Sequence, residues 1–328
     1  MDRRKALILA SMTAAVGSTS LLAGCGGGSD EPPRPTFPAS APNIVQLAQA
    51  TPSLSILVEA VVAAGLADTL SGAGPFTVFA PNNDAFVALL GELGVTKDAL
   101  LKDKALLTTV LTYHVLGAKV EKASIPVGKK ITPLQKSIFK IDTPAGGILS
   151  ITDGRNRISK ILATDVQASN GVVHVIDKVI LPANKNIVEN AQALKPEFTT
   201  LVSAVIAADL GAALSGPSPL TVFAPTNAAF TAAATELKLP GGVGDFLLAA
   251  NKALLIKILT YHVVSGAVLK AEIPVAAPIT TVQGETLTIS AGFAITDQRA
   301  RTSNIIITDV LTSNGVIHAV DKVILPKP

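Results

Sequence analysis

The chain has one cysteine, no tryptophan, two tyrosines and two methionines in 328 residues, and aromatics make up only 4% of it. Each scarcity closes off a class. A lone cysteine cannot form an internal disulfide, so any folded domain is held by core packing alone. Nucleic-acid binding draws on basic patches and stacking rings. Here 27 basic residues face 24 acidic ones and rings are few, so no nucleic-acid partner is expected. After Cys25 no run reaches the ~20 apolar residues of a spanning helix. Contact with a membrane has to come from an anchor.

The N-terminus supplies a candidate for one. Arg3, Arg4 and Lys5 precede a mostly apolar stretch, Ala6 to Ala15, and small residues follow before Cys25. That order reads as an export signal over residues 1–24. Leu22-Ala23-Gly24-Cys25 resembles the bacterial lipobox, in which the cysteine is lipidated and becomes the new N-terminus. By the same resemblance, Gly26 in place of Asp favours the outer membrane, with the protein facing the periplasm or the outside. Loss of the signal removes three of the 27 basic residues and one of the 24 acidic ones, leaving 24 against 23. Residues 25–42, rich in Gly, Ser and Pro, are too polar to fold and read as a tether.

The remainder is written twice. Ser169 to Pro182 (SNGVVHVIDKVILP) returns as Ser313 to Pro326 (SNGVIHAVDKVILP), with 11 of 14 residues identical. Leu57 to Phe86 matches Leu201 to Phe230, and LTYHV recurs at Leu111 and Leu259. The period is domain-sized, so two tandem domains are expected, over 43–184 and 185–328. Within a copy, apolar residues from Leu54 to Leu70 and from Leu100 to Tyr113 fall at helical spacing. Phe76 to Phe79 reads as a buried strand ended by Pro81, with Asn82 or Asn83 capping the next helix. β-branched runs follow. Asn170-Gly171 predicts a type I′ hairpin, repeated at Asn314-Gly315. Each copy is therefore α+β, with helices early and a mostly antiparallel sheet late.

TVFAPNNDAF and TVFAPTNAAF, each followed by a Tyr-His pair and then by NGVVHVIDKVILP or NGVIHAVDKVILP, resemble fasciclin-like domains. The resemblance implies a wedge of β-strands packed with several α-helices. It also implies adhesion. In animal members of the family, the Tyr-His segment and an Asp-Ile pair ahead of the hairpin are associated with integrin binding. The matching positions are Tyr113-His114, Asp165-Val166, Tyr261-His262 and Asp309-Val310, with Val in place of Ile. A bacterial lipoprotein has no integrins of its own, so that partner does not carry over.

All four histidines and both tyrosines lie in the repeated motifs, which raises the question of chemistry. A zinc site takes three or four ligands, whereas each copy has two histidines, 60 and 56 residues apart, and no cysteine. A nucleophilic site needs a hydroxyl or thiol, a base and an orienting group. Asp177 and Asp321 stand three residues past His174 and His318, on opposite strand faces. No metal, cofactor or catalytic set is expected, and His174 and His318 read as core histidines that fasten the last strand. Tyr113-His114 and Tyr261-His262 fit either core packing or a contact surface. Lys129-Lys130 reads as a solvated turn. Asp153 to Arg157 and Asp297 to Arg301 read as hairpin tips that each project two arginines. The expected function is non-enzymatic adhesion through a protein or polysaccharide ligand at the cell surface or in the periplasm. The alternatives are a periplasmic binding protein for a small molecule or polysaccharide, and a hydrolase using His114 or His262.

Overall fold

The computed structural model describes residues 41–194 and 196–328. The export signal, Cys25 and nearly all of the tether inferred above lie outside the described residues.

The first repeat begins with α1 (Ile44–Gln49), α2 (Ser55–Ala64), α3 (Ala67–Ser71), β1 (Phe76–Pro81), α4 (Asn83–Leu93), α5 (Lys97–Lys102) and α6 (Lys104–Tyr113). It continues with β2 (Val115–Leu116), β3 (Lys130–Ile131), β4 (Phe139–Asp142), β5 (Ser150–Thr152), β6 (Ile158–Ala168) and β7 (Gly171–Ile176). Side-chain caps set the helix starts. Asn43, Asn82, Thr96 and Asp103 each accept the backbone N–H three residues on, at the heads of α1, α4, α5 and α6. Each such cap contributes about 1 kcal/mol. Both long apolar stripes are broken in two. Gly65 turns left-handed at φ 72° and ends α2, and Asp103 leaves the helical region to cap α6.

The sheet order is β2-β1-β7-β6-β5-β4-β3, and only the β1–β7 pair is parallel. The early strand β1 thus lies against the last one, and it is buried on both faces. Val78 and Ala80 turn towards α2, α4 and α6, where they meet Leu57, Val61, Phe86 and Leu107. Phe79 turns the other way, into a second core with Phe139, Ile141, Ile151 and Ile176. Phe139 meets Phe79 and Tyr113 edge-on, with ring centroids 5.5 and 5.6 Å away. Each large side chain buried this way contributes about 1.5–3 kcal/mol.

The hairpin differs from the expected turn. Its two-residue loop is Ser169-Asn170, because Ala168 pairs with Gly171. Neither Asn170 nor Gly171 has the positive φ that a type I′ turn centred on them requires. The two residues have other work. Asn170 donates from Nδ2 to Leu70 O and Gly72 O at 2.8 and 2.7 Å, and accepts Ile44 N–H at 3.0 Å. Gly171 admits β1, since a Cβ there would stand 2.1 Å from Phe76 O.

The second repeat follows the same plan: α7 (Ile187–Ala193), α8 (Thr199–Ala207), α9 (Gly211–Ser215), β8 (Leu220–Pro225), α10 (Asn227–Glu236) and α11 (Lys252–Tyr261). Its strands β9 (Val263–Ser265), β10 (Pro278–Thr280), β11 (Thr286–Ile289), β12 (Ala294–Thr296), β13 (Thr302–Thr312) and β14 (Gly315–Val320) form a sheet of the same topology. Both repeats belong to one compact unit, Ala41–Pro328.

A seam joins them. Lys140 Nζ reaches Asp309 Oδ2 at 2.8 Å, and the Asn156 amide exchanges two hydrogen bonds with the Leu311 backbone, at 3.0 and 2.7 Å. Ile138 packs against Leu269 and Leu311, which are fully buried. Lys130 donates to Ala267 O at 3.0 Å and lies 3.7 Å from Glu272. Lys129-Lys130 is therefore not simply a solvated turn: strand pairing of β3 with β4 aims Lys130 across the seam.

Candidate functional site

All four imidazoles are enclosed and have both ring nitrogens engaged by backbone groups. His114 Nδ1 donates to Val110 O at 2.7 Å, and Nε2 accepts Ile180 N–H at 3.0 Å. His262 repeats this with Ile258 O and Ile324 N–H, at 2.8 and 3.0 Å. Burial pushes both rings down to about 4, although the carbonyl that each faces favours the charged form. Both are neutral at physiological pH.

His174 Nε2 donates to Val120 O at 2.9 Å, and Nδ1 accepts Asp165 N–H at 3.3 Å. His318 does the same with Val268 O and Asp309 N–H, at 3.0 and 3.2 Å. Burial holds His318 below its usual range. These rings therefore hold a bulge. β6 slips register against β7 between Ala163 and Val166, and Asp165 takes a left-handed φ of 60° there. Asp309 has φ 62° in β13. Aspartate tolerates that region better than most residues, and its carboxylate is useful there. Asp165 Oδ1 accepts Lys122 N–H and Asp309 Oδ1 accepts Lys270 N–H, each at 2.7 Å. Thr77 anchors the same loop, since its Oγ1 accepts Val120 N–H at 2.8 Å and donates to Ala118 O at 2.6 Å.

Tyr113 is wholly buried. Its hydroxyl donates to Ile138 O and accepts Gly154 N–H, at 2.9 and 2.8 Å. Tyr261 is equally buried and donates to Thr286 O at 2.8 Å. Burial raises the pKa of both phenols. The Tyr-His pairs thus lie inside the protein and present no polar tip to solvent.

The two Asp-Val pairs are not equivalent. Asp165 and Val166 are partly exposed, and among the described residues no cation pairs with Asp165. Asp309 is only 6% exposed, because the first repeat lies over it with Lys140 on its carboxylate. The side chains around each pair differ accordingly. Ala267, Leu269 and Leu311 form an apolar cluster with Ile138 of the first repeat, whereas the corresponding positions of the first repeat are Lys119, Glu121 and Gln167. Lys119 and Glu121 pair at 3.0 Å in solvent. Val166 and Val310 root each bulge in the helical core beneath it.

The arginine tips also differ from their sequence reading. Arg157 folds inward, donating from Nε and Nη2 to Asp153 Oδ2 at 2.9 and 2.8 Å, from Nη2 to Val179 O at 2.6 Å, and from Nη1 to Glu92. Arg301 is bound the same way by Asp297, Val323 and Glu236. Only one arginine of each tip is left to consider, Arg155 or Arg299. Sequence reasoning missed the seam residues Lys140, Leu269 and Leu311, and placed Asn156 only in a hairpin tip. The signal was present as the places where the two copies differ in polarity.

The fold and this pattern of buried fasteners define a tandem pair of α+β domains with no catalytic constellation among the described residues. The fasciclin domain profile matches residues 52–182 and 196–326, and the chain belongs to the fasciclin-domain family. It is 31% identical over 261 residues to the pig transforming growth factor-beta-induced protein ig-h3, covering 78% of this chain and 35% of that protein. It is 28% identical over 295 residues to human periostin, covering 88% of this chain and 32% of the relative. Protein sll1483 of Synechocystis is 43% identical over 148 residues, 44% of this chain and 75% of that one. The chain thus spans about a third of the two animal relatives. A solved FAS1 domain pair from the insect cell adhesion molecule fasciclin I aligns over 83% of this chain and 97% of its own, at 17% identity and a TM-score of 0.41.

Proposed function

We propose that this protein is a non-enzymatic adhesion protein held on the bacterial envelope by a lipidated Cys25, with its open docking surface at Asp165-Val166 of the first repeat. The engagement of all eight imidazole nitrogens by backbone groups carries the non-enzymatic reading. A ring so held has no lone pair or proton free for a substrate or an ion. The uneven exposure of the two Asp-Val pairs supports the choice of surface. Asp309 already serves the seam, while Asp165 stands on a bulge fixed from beneath by His174. Lipid chains on Cys25 would hold the protein at a bilayer with about 0.8 kcal/mol per buried methylene. Outer-membrane placement, facing either the periplasm or the outside, belongs to the same proposal.

The test is cell adhesion by bacteria expressing the full chain, its Cys25→Ala form and its Asp165→Asn form. Adhesion that needs both residues, together with acyl-chain labelling that disappears in Cys25→Ala, supports the reading. Adhesion unchanged in a strain lacking the chain overturns it. A second reading, binding of a small molecule or polysaccharide, is favoured by one observation: a cleft of mixed polar and aliphatic lining where the repeats meet.

A further inference from the structure

A cleft of about 420 Å³ opens beside the seam, with Arg155, Thr152 and Asn156 on one wall and Asn190, Thr308 and Asp309 on the other. Its charges are not balanced. Lys140, also in the lining, is neutralised by Asp309 at 2.8 Å and Asp142 at 3.0 Å. Arg157 uses up Asp153 and Glu92. Among the described residues nothing pairs with the Arg155 guanidinium, and its Nε is buried without an acceptor. A buried donor left unmade is costly. The second repeat shows the position satisfied, since Arg299 Nε donates to Pro326 O at 3.0 Å. The first repeat keeps the arginine without that acceptor, and the side chain lines both this cleft and the apolar pocket formed with Leu89, Leu93 and Leu181.

We propose that the inter-repeat cleft binds an anionic saccharide of the uronic-acid type, with Arg155 as its carboxylate anchor. The guanidinium fork matches a carboxylate with two parallel hydrogen bonds, which an ammonium cannot do. Thr152 and Thr308 line the same space with hydroxyls, Asn190 offers its amide oxygen while its Nδ2 is held by Lys185 O and Asn186 O, and Ile158 and Val310 offer aliphatic surface to a ring face. A volume of 420 Å³ lies within the range of small-molecule sites. Both repeats contribute, so the site exists only in the assembled pair.

The experiment is calorimetric titration of the full chain with a galacturonate disaccharide, with the neutral galactose disaccharide and inorganic phosphate as comparison ligands. Saturable binding of the galacturonate disaccharide is expected, weakened at least tenfold in Arg155→Gln and less in Arg155→Lys. Arg299→Gln, remote from the cleft lining, should bind as wild type. Unfolding midpoints of all variants establish that each is folded. Arg155 also lines the apolar pocket with Leu93 and Leu181, so a modest fall in the melting temperature of Arg155→Gln is expected, while Arg155→Lys keeps the aliphatic stem. No saturable binding, or binding indifferent to Arg155→Gln, overturns the proposal. So does a galactose disaccharide that binds as well as the acid. Phosphate that displaces the disaccharide at equal concentration overturns the saccharide assignment and leaves a bare anion site. Cell adhesion measured in parallel keeps the two readings apart, because adhesion can persist when the cleft binds nothing.

Discussion

Lys140 and Asp309 belong to different repeats, yet their charged atoms meet at 2.8 Å and the Asp309 side chain is all but closed to solvent. The same carboxylate accepts Lys270 N–H from its own repeat, so a single side chain ties an internal loop to the neighbouring domain.

Removing one partner should therefore cost more than removing both. Lys140→Met leaves Asp309 under an apolar cover without its cation, and a loss of about 1–3 kcal/mol is expected for such a stranded group. Lys140→Met with Asp309→Asn should recover much of it. Urea denaturation in a double-mutant cycle measures the coupling, and strictly additive losses would rule the pair out as a structural link.

Acid should weaken the fold over a defined window. Burial depresses His114 and His262 to about 4 when folded, against about 6.5 in an unfolded chain. The unfolded state then binds more protons between those values. The contribution of each ring is fully present above pH ~6.5 and is lost as pH falls through ~4. Each ring accounts for about 3 kcal/mol across the window. Unfolding free energies measured from pH 7 to pH 4 should fall steadily, and a flat profile would contradict neutral, enclosed imidazoles.

Two glycine-to-alanine changes should have opposite signs. Gly171→Ala places a methyl 2.1 Å from Phe76 O, in backbone that cannot yield without parting β1 from β7. A loss above about 3 kcal/mol, or no folded protein, is expected, in the range of severe core overpacking. Gly91→Ala lies on the exposed face of α4 with nothing within 4 Å. It should stabilise by about 0.5–1 kcal/mol, the helix penalty of glycine. Thermal melting of the two variants checks both signs at once.

Asp165→Asn and Asp309→Asn should separate surface from seam. Asparagine tolerates the left-handed backbone and can still accept the loop N–H, so each change removes mainly charge. Asp165→Asn should reduce cell adhesion and leave the melting temperature nearly unchanged. Asp309→Asn should lower the melting temperature and leave adhesion intact. The reverse pattern would place the docking surface on the second repeat.

Much of this architecture is legible in the residues. Repetition of TVFAP, LTYHV and NGV-x-H shows two copies, and apolar stripes with β-branched runs give the α+β character. What is hidden is long-range. The parallel pairing of β1 with β7 joins strands about 95 residues apart, a distance along the chain that no local period encodes. Asn170-Gly171 looks like a turn because such pairs favour positive φ, whereas here the asparagine is a bracket for α1 and the glycine a clearance for β1. Arg157 looks solvent-bound by its charge and is held by Asp153, whose position depends on the folded β5–β6 connection. The enclosed histidines could be inferred from their apolar neighbours, but their partners, Asp165 N–H and Ile180 N–H, could not.

The exchange of Leu269 and Leu311 for Glu121 and Gln167 reaches beyond one molecule. The first repeat offers the second Ile138, Lys140 and Asn156, while the second has Thr286, Thr288 and Ala300 at the matching sites. Head-to-tail stacking would form an open filament if every copy carried both complementary faces. Here the outward face at either end lacks its mate. The contacts of the seam are therefore used once and are not repeated on the opposite face of either repeat.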